Sequence, residues 1–187
     1  MLTPKFAAAG TALAFLLVAT APATAADIAG LTIAGADGRR DTETFRLGIR
    51  SYWDRFWFTE GDWQLGAYWE AQLGYWDSDK SGAGHDDLAE ISLTPVFRLE
   101  PKSARAGGFS PYVEGGIGLH LLSNTSIGNR QLSTMLQFGS LVGAGFRFGD
   151  AGRYQLGYRF QHISNASIKS PNDGMNLNEI RFAVDFP

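Results

Sequence analysis

From Trp63 onward the chain alternates. Trp63, Leu65, Ala67, Trp69, Ala71, Leu73 and Tyr75 hold the odd positions, and Gln64, Gly66, Tyr68, Glu70, Gln72 and Gly74 the even ones. Successive residues of a strand point to opposite faces of a sheet, so this stretch predicts a strand with one apolar face and one polar or small face. The split recurs in Phe45, Leu47 and Ile49 against Arg46, Gly48 and Arg50, and in Ile91, Leu93, Pro95, Phe97 and Leu99 against Glu90, Ser92, Thr94 and Arg98. It continues in Val113, Ile117, Leu119 and Leu121 against Glu114, Gly116, Gly118 and His120. A further strand sets Leu136, Phe138, Val142, Ala144, Phe146 and Phe148 against Gln137, Gly139, Gly143, Gly145 and Arg147, with Leu141 as an exception. Two more carry Tyr154, Leu156, Tyr158 and Phe160, and Ile180, Phe182, Val184 and Phe186. With a weaker first strand over residues 27–34 the count is eight.

Alternation alone also fits a soluble barrel with its apolar face inward. The polar face argues for the opposite orientation: it carries glycines with Glu70, Arg98, Glu114, Arg147, Arg159, Glu179 and Arg181, which suits a narrow lumen filled by small residues and paired charges. The apolar face places Trp63, Tyr75, Tyr154 and Phe186 near strand ends, where membrane barrels carry aromatic girdles. The expected fold is therefore all-β, an eight-stranded antiparallel up-and-down transmembrane β-barrel of the outer membrane. Pro95 is an objection, since proline gives no ladder donor. An even strand number puts both termini in the periplasm, so residues 35–40, 77–87, 123–133 and 165–174 form outer loops and residues 54–62, 100–110 and 149–152 inner turns.

Residues 1–26 stand apart. Lys5 is their only charge, an apolar run follows from Phe6 to Val18, and Ala23-Thr24-Ala25-Ala26 precedes Asp27. This is the layout of a secretory signal peptide, which leaves residues 27–187 as the barrel domain. The net charge of −3 over 187 residues, without a basic patch, makes nucleic acid an unsuitable partner. Cysteine is absent, which excludes disulfides, a thiol nucleophile and thiolate metal sites.

Candidate chemistry appears where the apolar column breaks. Leu156, Tyr158 and Phe160 continue into His162 and Ser164. Two residues apart on a strand, these side chains share a face, with backbones roughly 7 Å apart. Histidine is the usual general base at neutral pH, and serine becomes a nucleophile when such a base removes its proton. A rival reading makes both merely polar rim residues. His85 reads as an exposed loop residue, and His120 as an inward hydrogen-bonding residue of the barrel core. The three histidines and the acidic pair Asp86-Asp87 make no convincing metal site.

The run His162-Ile163-Ser164-Asn165-Ala166-Ser167-Ile168-Lys169-Ser170-Pro171-Asn172-Asp173-Gly174 resembles the signature of the lipid A 3-O-deacylases, the PagL family of outer-membrane barrels. The likeness extends to Phe45-Arg46-Leu47-Gly48, Gly74-Tyr75-Trp76, Pro95-Val96-Phe97 and Pro111-Tyr112-Val113-Glu114-Gly115-Gly116-Ile117-Gly118. It implies serine esterase chemistry on lipopolysaccharide, with Ser164 attacking the 3-position ester of lipid A and His162 moving the proton. It also implies an oxyanion role for Asn165, shared with or replaced by loop amides around Ala166 and Ser167; a purely turn-building Asn165 is the alternative. The family's usual glutamate in the third position is here Asn176. Parity puts Asn176 on the outward face beside His162 and Ser164, whereas the rival Glu179 points inward, towards Arg159 or Arg181. No metal or organic cofactor is expected. The surrounding outer-membrane lipids are the other partners, and a homodimer is compatible with the sequence, which does not decide it. The alternatives are a non-catalytic outer-membrane barrel with a structural or adhesion role, and a soluble periplasmic barrel that binds a small apolar ligand.

Overall fold

The computed structural model describes residues 28–38, 42–79 and 84–187; the signal peptide expected at residues 1–26 lies outside them. Eight long strands close into one antiparallel barrel: β1 (Gly30–Gly38), β2 (Thr42–Tyr52), β3 (Trp63–Ser78), β4 (Asp87–Pro101), β5 (Ser110–Leu122), β8 (Leu136–Phe148), β9 (Tyr154–Ser164) and β10 (Met175–Asp185). Two short strands, β6 (Ser126–Ile127) and β7 (Arg130–Gln131), form a separate hairpin within the outer loop after β5. Each long strand pairs with its neighbour in the chain and β10 returns to β1, from Gly30 opposite Asp185 to Gly38 opposite Leu177. Closure leaves no unpaired edge, which is the condition for crossing a bilayer with strands.

One expectation is corrected and one objection is answered. The first strand runs on to Gly38 rather than ending near Ala34, because Gly35 and Ala36 still pair with Phe45 and Thr44. Pro95 is accommodated within a strand: on the β5 side the ladder skips Thr94 and Pro95 and resumes in the same register, Leu93 opposite Leu119 and Val96 opposite Gly116. The missing proline donor thus removes a rung without shifting the pleat.

The outward column is apolar and bare. Leu73 is 64% exposed, Val142 62% and Ile180 58%, and their neighbours Leu47, Ile91 and Leu119 are similar. A surface this continuous in leucine, isoleucine and valine has no place in water and fits hydrocarbon.

Inside, among the described residues, six buried arginines (46, 50, 98, 147, 159 and 181) meet six buried carboxylates (Glu70, Glu90, Glu100, Glu114, Glu179 and Asp185). They stack in tiers. At the periplasmic end Asp185 accepts from Arg50 at 2.5 Å and Arg147 at 2.7 Å, and Arg147 also reaches Glu100 at 2.7 Å. Mid-barrel, Glu114 accepts from Arg98 and Arg159, each at 2.6 Å, from Arg181 at 3.2 Å and from the Tyr68 hydroxyl at 2.9 Å. Above them Glu90 accepts from Arg46 at 2.9 Å and from the Trp76 indole at 2.6 Å, and contacts His120. Gly139 makes room for that ring, since a Cβ there would lie 2.1 Å from His120 Nε2. Each charge taken from water is matched by an opposite one and by further hydrogen bonds, which is what makes a buried ionic network tolerable.

The extracellular end is closed by an apolar plug that includes Trp76, Leu88, Leu122, Ile163, Met175 and Leu177 from the strands. Ile127 and Leu132, brought over the lumen by the β6–β7 hairpin, complete it. The described residues thus leave the lumen filled by charged tiers below and apolar side chains above.

Candidate active site

His162 stands on the outer face of β9, and its register partner on β10 is Asn176. The imidazole Nδ1 lies 2.6 Å from Asn176 Oδ1. An amide oxygen only accepts, so the network assigns the ring hydrogen to Nδ1 and leaves the lone pair on Nε2. That is the tautomer a general base needs. Ser164 ends β9 on the same face, half-buried.

Gly174 ties the two together. Its φ of +58° suits glycine, and a Cβ built there would lie 3.1 Å from His162 Cε1 and 3.5 Å from Ser164 Cβ. The loop returning from Ser164 to β10 thus closes on both side chains at a single point. The β6–β7 hairpin holds this loop: Gln131 N–H donates to Asp173 Oδ2 at 2.8 Å, Asp173 N–H to the Gln131 carbonyl at 3.1 Å, Ser133 Oγ to the Pro171 carbonyl at 2.5 Å, and the Arg130 guanidinium to the Gly174 carbonyl.

Asn165 is wholly buried under the loop. Its Nδ2 donates to the Leu132 carbonyl at 2.9 Å and the Lys169 carbonyl at 2.7 Å, while its backbone N–H reaches Asn172 Oδ1 at 3.1 Å. Both amide hydrogens are thereby engaged in building the loop. The next two residues, Ala166 and Ser167, are exposed and adopt left-handed backbone conformations, φ 53° and 64°. Among the described residues their N–H groups meet no acceptor.

Glu179 lies on the other side of the wall. It is 2% exposed and pairs with Arg46 at 2.8 Å, with Arg159 at 3.8 Å and not with Arg181, which turns to Glu70 and Glu114. His120 is fully buried in the lumen, and His85 is exposed in the loop before β4. Neither approaches the outer wall at His162.

Sequence reasoning passed over Ser140. It is exposed on the outer face of β8 as the register partner of His162, so one row across three strands reads Ser140, His162, Asn176. The available signal was the polar interruption between Phe138 and Val142 in an otherwise apolar column.

Comparison with known proteins finds relatives that match along most of the chain. The model of the family described as lipid A 3-O-deacylase (PagL) matches residues 43–185. A Pseudomonas aeruginosa protein named lipid A deacylase PagL is 37% identical over 167 residues, 89% of this chain and 90% of its own length. The chain belongs to the lipid A 3-O-deacylase family. A Bordetella bronchiseptica protein of the same name is 33% identical over 131 residues, 66% of this chain and 68% of that one. The crystal structure of the outer membrane enzyme PagL superposes with a TM-score of 0.75 at 30% identity, covering 84% of this chain and 100% of that one. As a member of the PagL family the protein is an outer-membrane β-barrel and an ester hydrolase, so its bare apolar face lies in lipid. The soluble and the non-catalytic readings of the barrel fall away.

Proposed function

We propose that this chain removes the ester-linked 3-hydroxyacyl chain of lipid A in lipopolysaccharide by serine–histidine catalysis at the lipid-facing outer rim. The observation that carries the reading is the His162 Nδ1 to Asn176 Oδ1 contact of 2.6 Å on the outer wall beside Ser164. A general base with its tautomer fixed, next to a hydroxyl and facing lipid, has no use in a merely structural wall. Residues 1–26 serve in this reading as the export signal.

The chemistry follows from the atoms. His162 Nε2 takes the Ser164 proton as Oγ attacks the ester carbonyl of a lipid A molecule lying laterally against β9 and β10. The carbonyl oxygen becomes an oxyanion, held by the free N–H groups of Ala166 and Ser167, with buried Asn165 shaping the loop that presents them. Collapse releases the sugar alkoxide, which takes the proton back from His162. Water, deprotonated by His162 in turn, then hydrolyses the acyl-serine. Mass spectrometry of lipid A from cells expressing the chain tests the reading: one 3-hydroxyacyl mass should be lost, and unaltered lipid A with a folded, inserted barrel would overturn it.

Asn176 orients His162 without offsetting the imidazolium charge that forms during attack. Replacing an orienting carboxylate by an amide in a serine triad lowers kcat about 10⁴-fold, chiefly through the wrong tautomer. Here the amide oxygen already selects the right one, so the remaining deficit is smaller. Asn176→Glu should therefore raise kcat, by about tenfold at most, and Asn176→Ala should lower it by roughly 10–100-fold with little change in KM. Glu179→Gln should leave kcat per folded molecule unaltered. Loss of activity in Glu179→Gln together with a fully active Asn176→Ala would reverse the assignment.

A further inference from the structure

Below the catalytic row the outer faces of β9 and β10 should be featureless, and Phe160, Leu156, Ile180, Phe182 and Val184 comply. Tyr158 and Asn178 do not. Both are exposed on the lipid side, and the Tyr158 hydroxyl donates to Asn178 Oδ1 at 2.7 Å. An amide facing hydrocarbon is unfavourable by several kcal/mol unless its hydrogen bonds are met. The tyrosine meets only the oxygen. Among the described residues the two hydrogens of Asn178 Nδ2 find no acceptor, and the Tyr158 oxygen keeps its own acceptor capacity. The pair thus presents two donors and an acceptor to whatever lipid lies beside the wall.

From these contacts we infer that Tyr158 and Asn178 form a second polar subsite, which hydrogen-bonds a carbonyl or hydroxyl on an acyl chain that the enzyme does not cut. The inference rests on the lipid A reading above. Spacing selects the uncut chain. Asn178 is four residues from Gly174, where an added Cβ would lie 3.5 Å from Ser164 Cβ, which is roughly 13 Å of extended chain. With strands tilted by about 40° that distance divides into roughly 10 Å of depth and 8 Å sideways. The hydroxyl of the scissile chain sits too close to its own ester carbonyl to span this. A carbonyl or hydroxyl of a secondary acyl chain, which is esterified to the hydroxyl of an uncut chain and so begins deeper in the bilayer, comes down to it. Such a contact holds the glycolipid in one rotational setting against the wall, which selects the ester presented to Ser164.

The test compares purified full-length wild type, Tyr158→Phe and Asn178→Leu on two substrates: lipid A carrying secondary acyl chains, and a p-nitrophenyl fatty ester that has none. The expected result is a fall of about tenfold in kcat/KM on lipid A, the effect of one lost hydrogen bond. Rates on the simple ester should stay within about twofold, and folded fractions, read by heat-dependent gel mobility, should be equal. Equal losses on both substrates would reduce the pair to a structural contact and overturn the inference, as would no loss on either. Wild type that is active on the simple ester and inert on lipid A would remove the lipid A reading itself, and the subsite with it.

Discussion

Ser164→Ala is expected to leave lipid A fully acylated in cells that express and insert the variant, and to lower kcat/KM of the purified enzyme by at least about 10³-fold, as removal of a serine nucleophile does elsewhere. Ser140→Ala is the control that gives this result meaning, because two serines flank His162 on the outer wall. Ser140 faces it across the β8–β9 ladder, where opposed Cβ atoms lie about 4.5–5.5 Å apart. On the proposed mechanism the orientation of the ring favours Ser164. Asn176 draws Nδ1 towards β10, and the Cε1 edge faces Gly174, where an added Cβ would lie 3.1 Å from Cε1 and 3.5 Å from Ser164 Cβ. The ring thus turns its Cε1 edge to the rim end of the strand, where Ser164 stands. Ser140→Ala should retain activity within about threefold, a rim contact at most. An inactive Ser140→Ala beside an active Ser164→Ala would transfer the nucleophile to β8, with His162 and Asn176 keeping their roles.

How much of this could be read from the sequence follows from the range of each interaction. Alternation with period two is local, so it assigned nearly every residue of the long strands to the lumen or the lipid. It also separated Asn176 from Glu179, three positions apart and on opposite faces. Partners across the lumen were out of reach. Glu179 pairs with Arg46, 133 residues away, rather than with Arg181 two positions along its own strand, because closing the barrel sets β2 and β10 on either side of β1. The β6–β7 hairpin carries two residues per strand, too few to show a period. The scaffold of the loop between β9 and β10 was hidden for that reason. Asn165 is by residue type both an oxyanion donor and a turn builder, and its burial, with Nδ2 bonded to the Leu132 and Lys169 carbonyls, could not be read locally. Ser140 was visible and missed, since a single serine in an apolar column reads as noise until the register sets it beside a histidine.

The lumen and the site share strands but face opposite ways, and Glu114 measures how independent they are. It is the acceptor at the centre of the middle tier, bonded by three arginines and the Tyr68 hydroxyl. Glu114→Leu leaves Arg98, Arg159 and Arg181 packed together, with Glu70 shared by Arg159 and Arg181 and Glu179 at 3.8 Å from Arg159. Breaking a buried ion pair by deleting one partner destabilises by about 3–5 kcal/mol. The expected result is thus a large drop in the urea midpoint of the folded barrel, with Glu114→Gln intermediate because the amide still accepts one donor. Arg159 lies on β9 only three residues from His162, yet its side chain and that of His162 occupy opposite faces of the strand. Those Glu114→Leu molecules that fold should keep kcat within about twofold, since the row Ser140, His162, Asn176 is held by the ladder and by contacts on the outer wall. If kcat per folded molecule fell as far as in Ser164→Ala, the charged lumen would belong to the catalytic apparatus, and the wall would not insulate one face from the other.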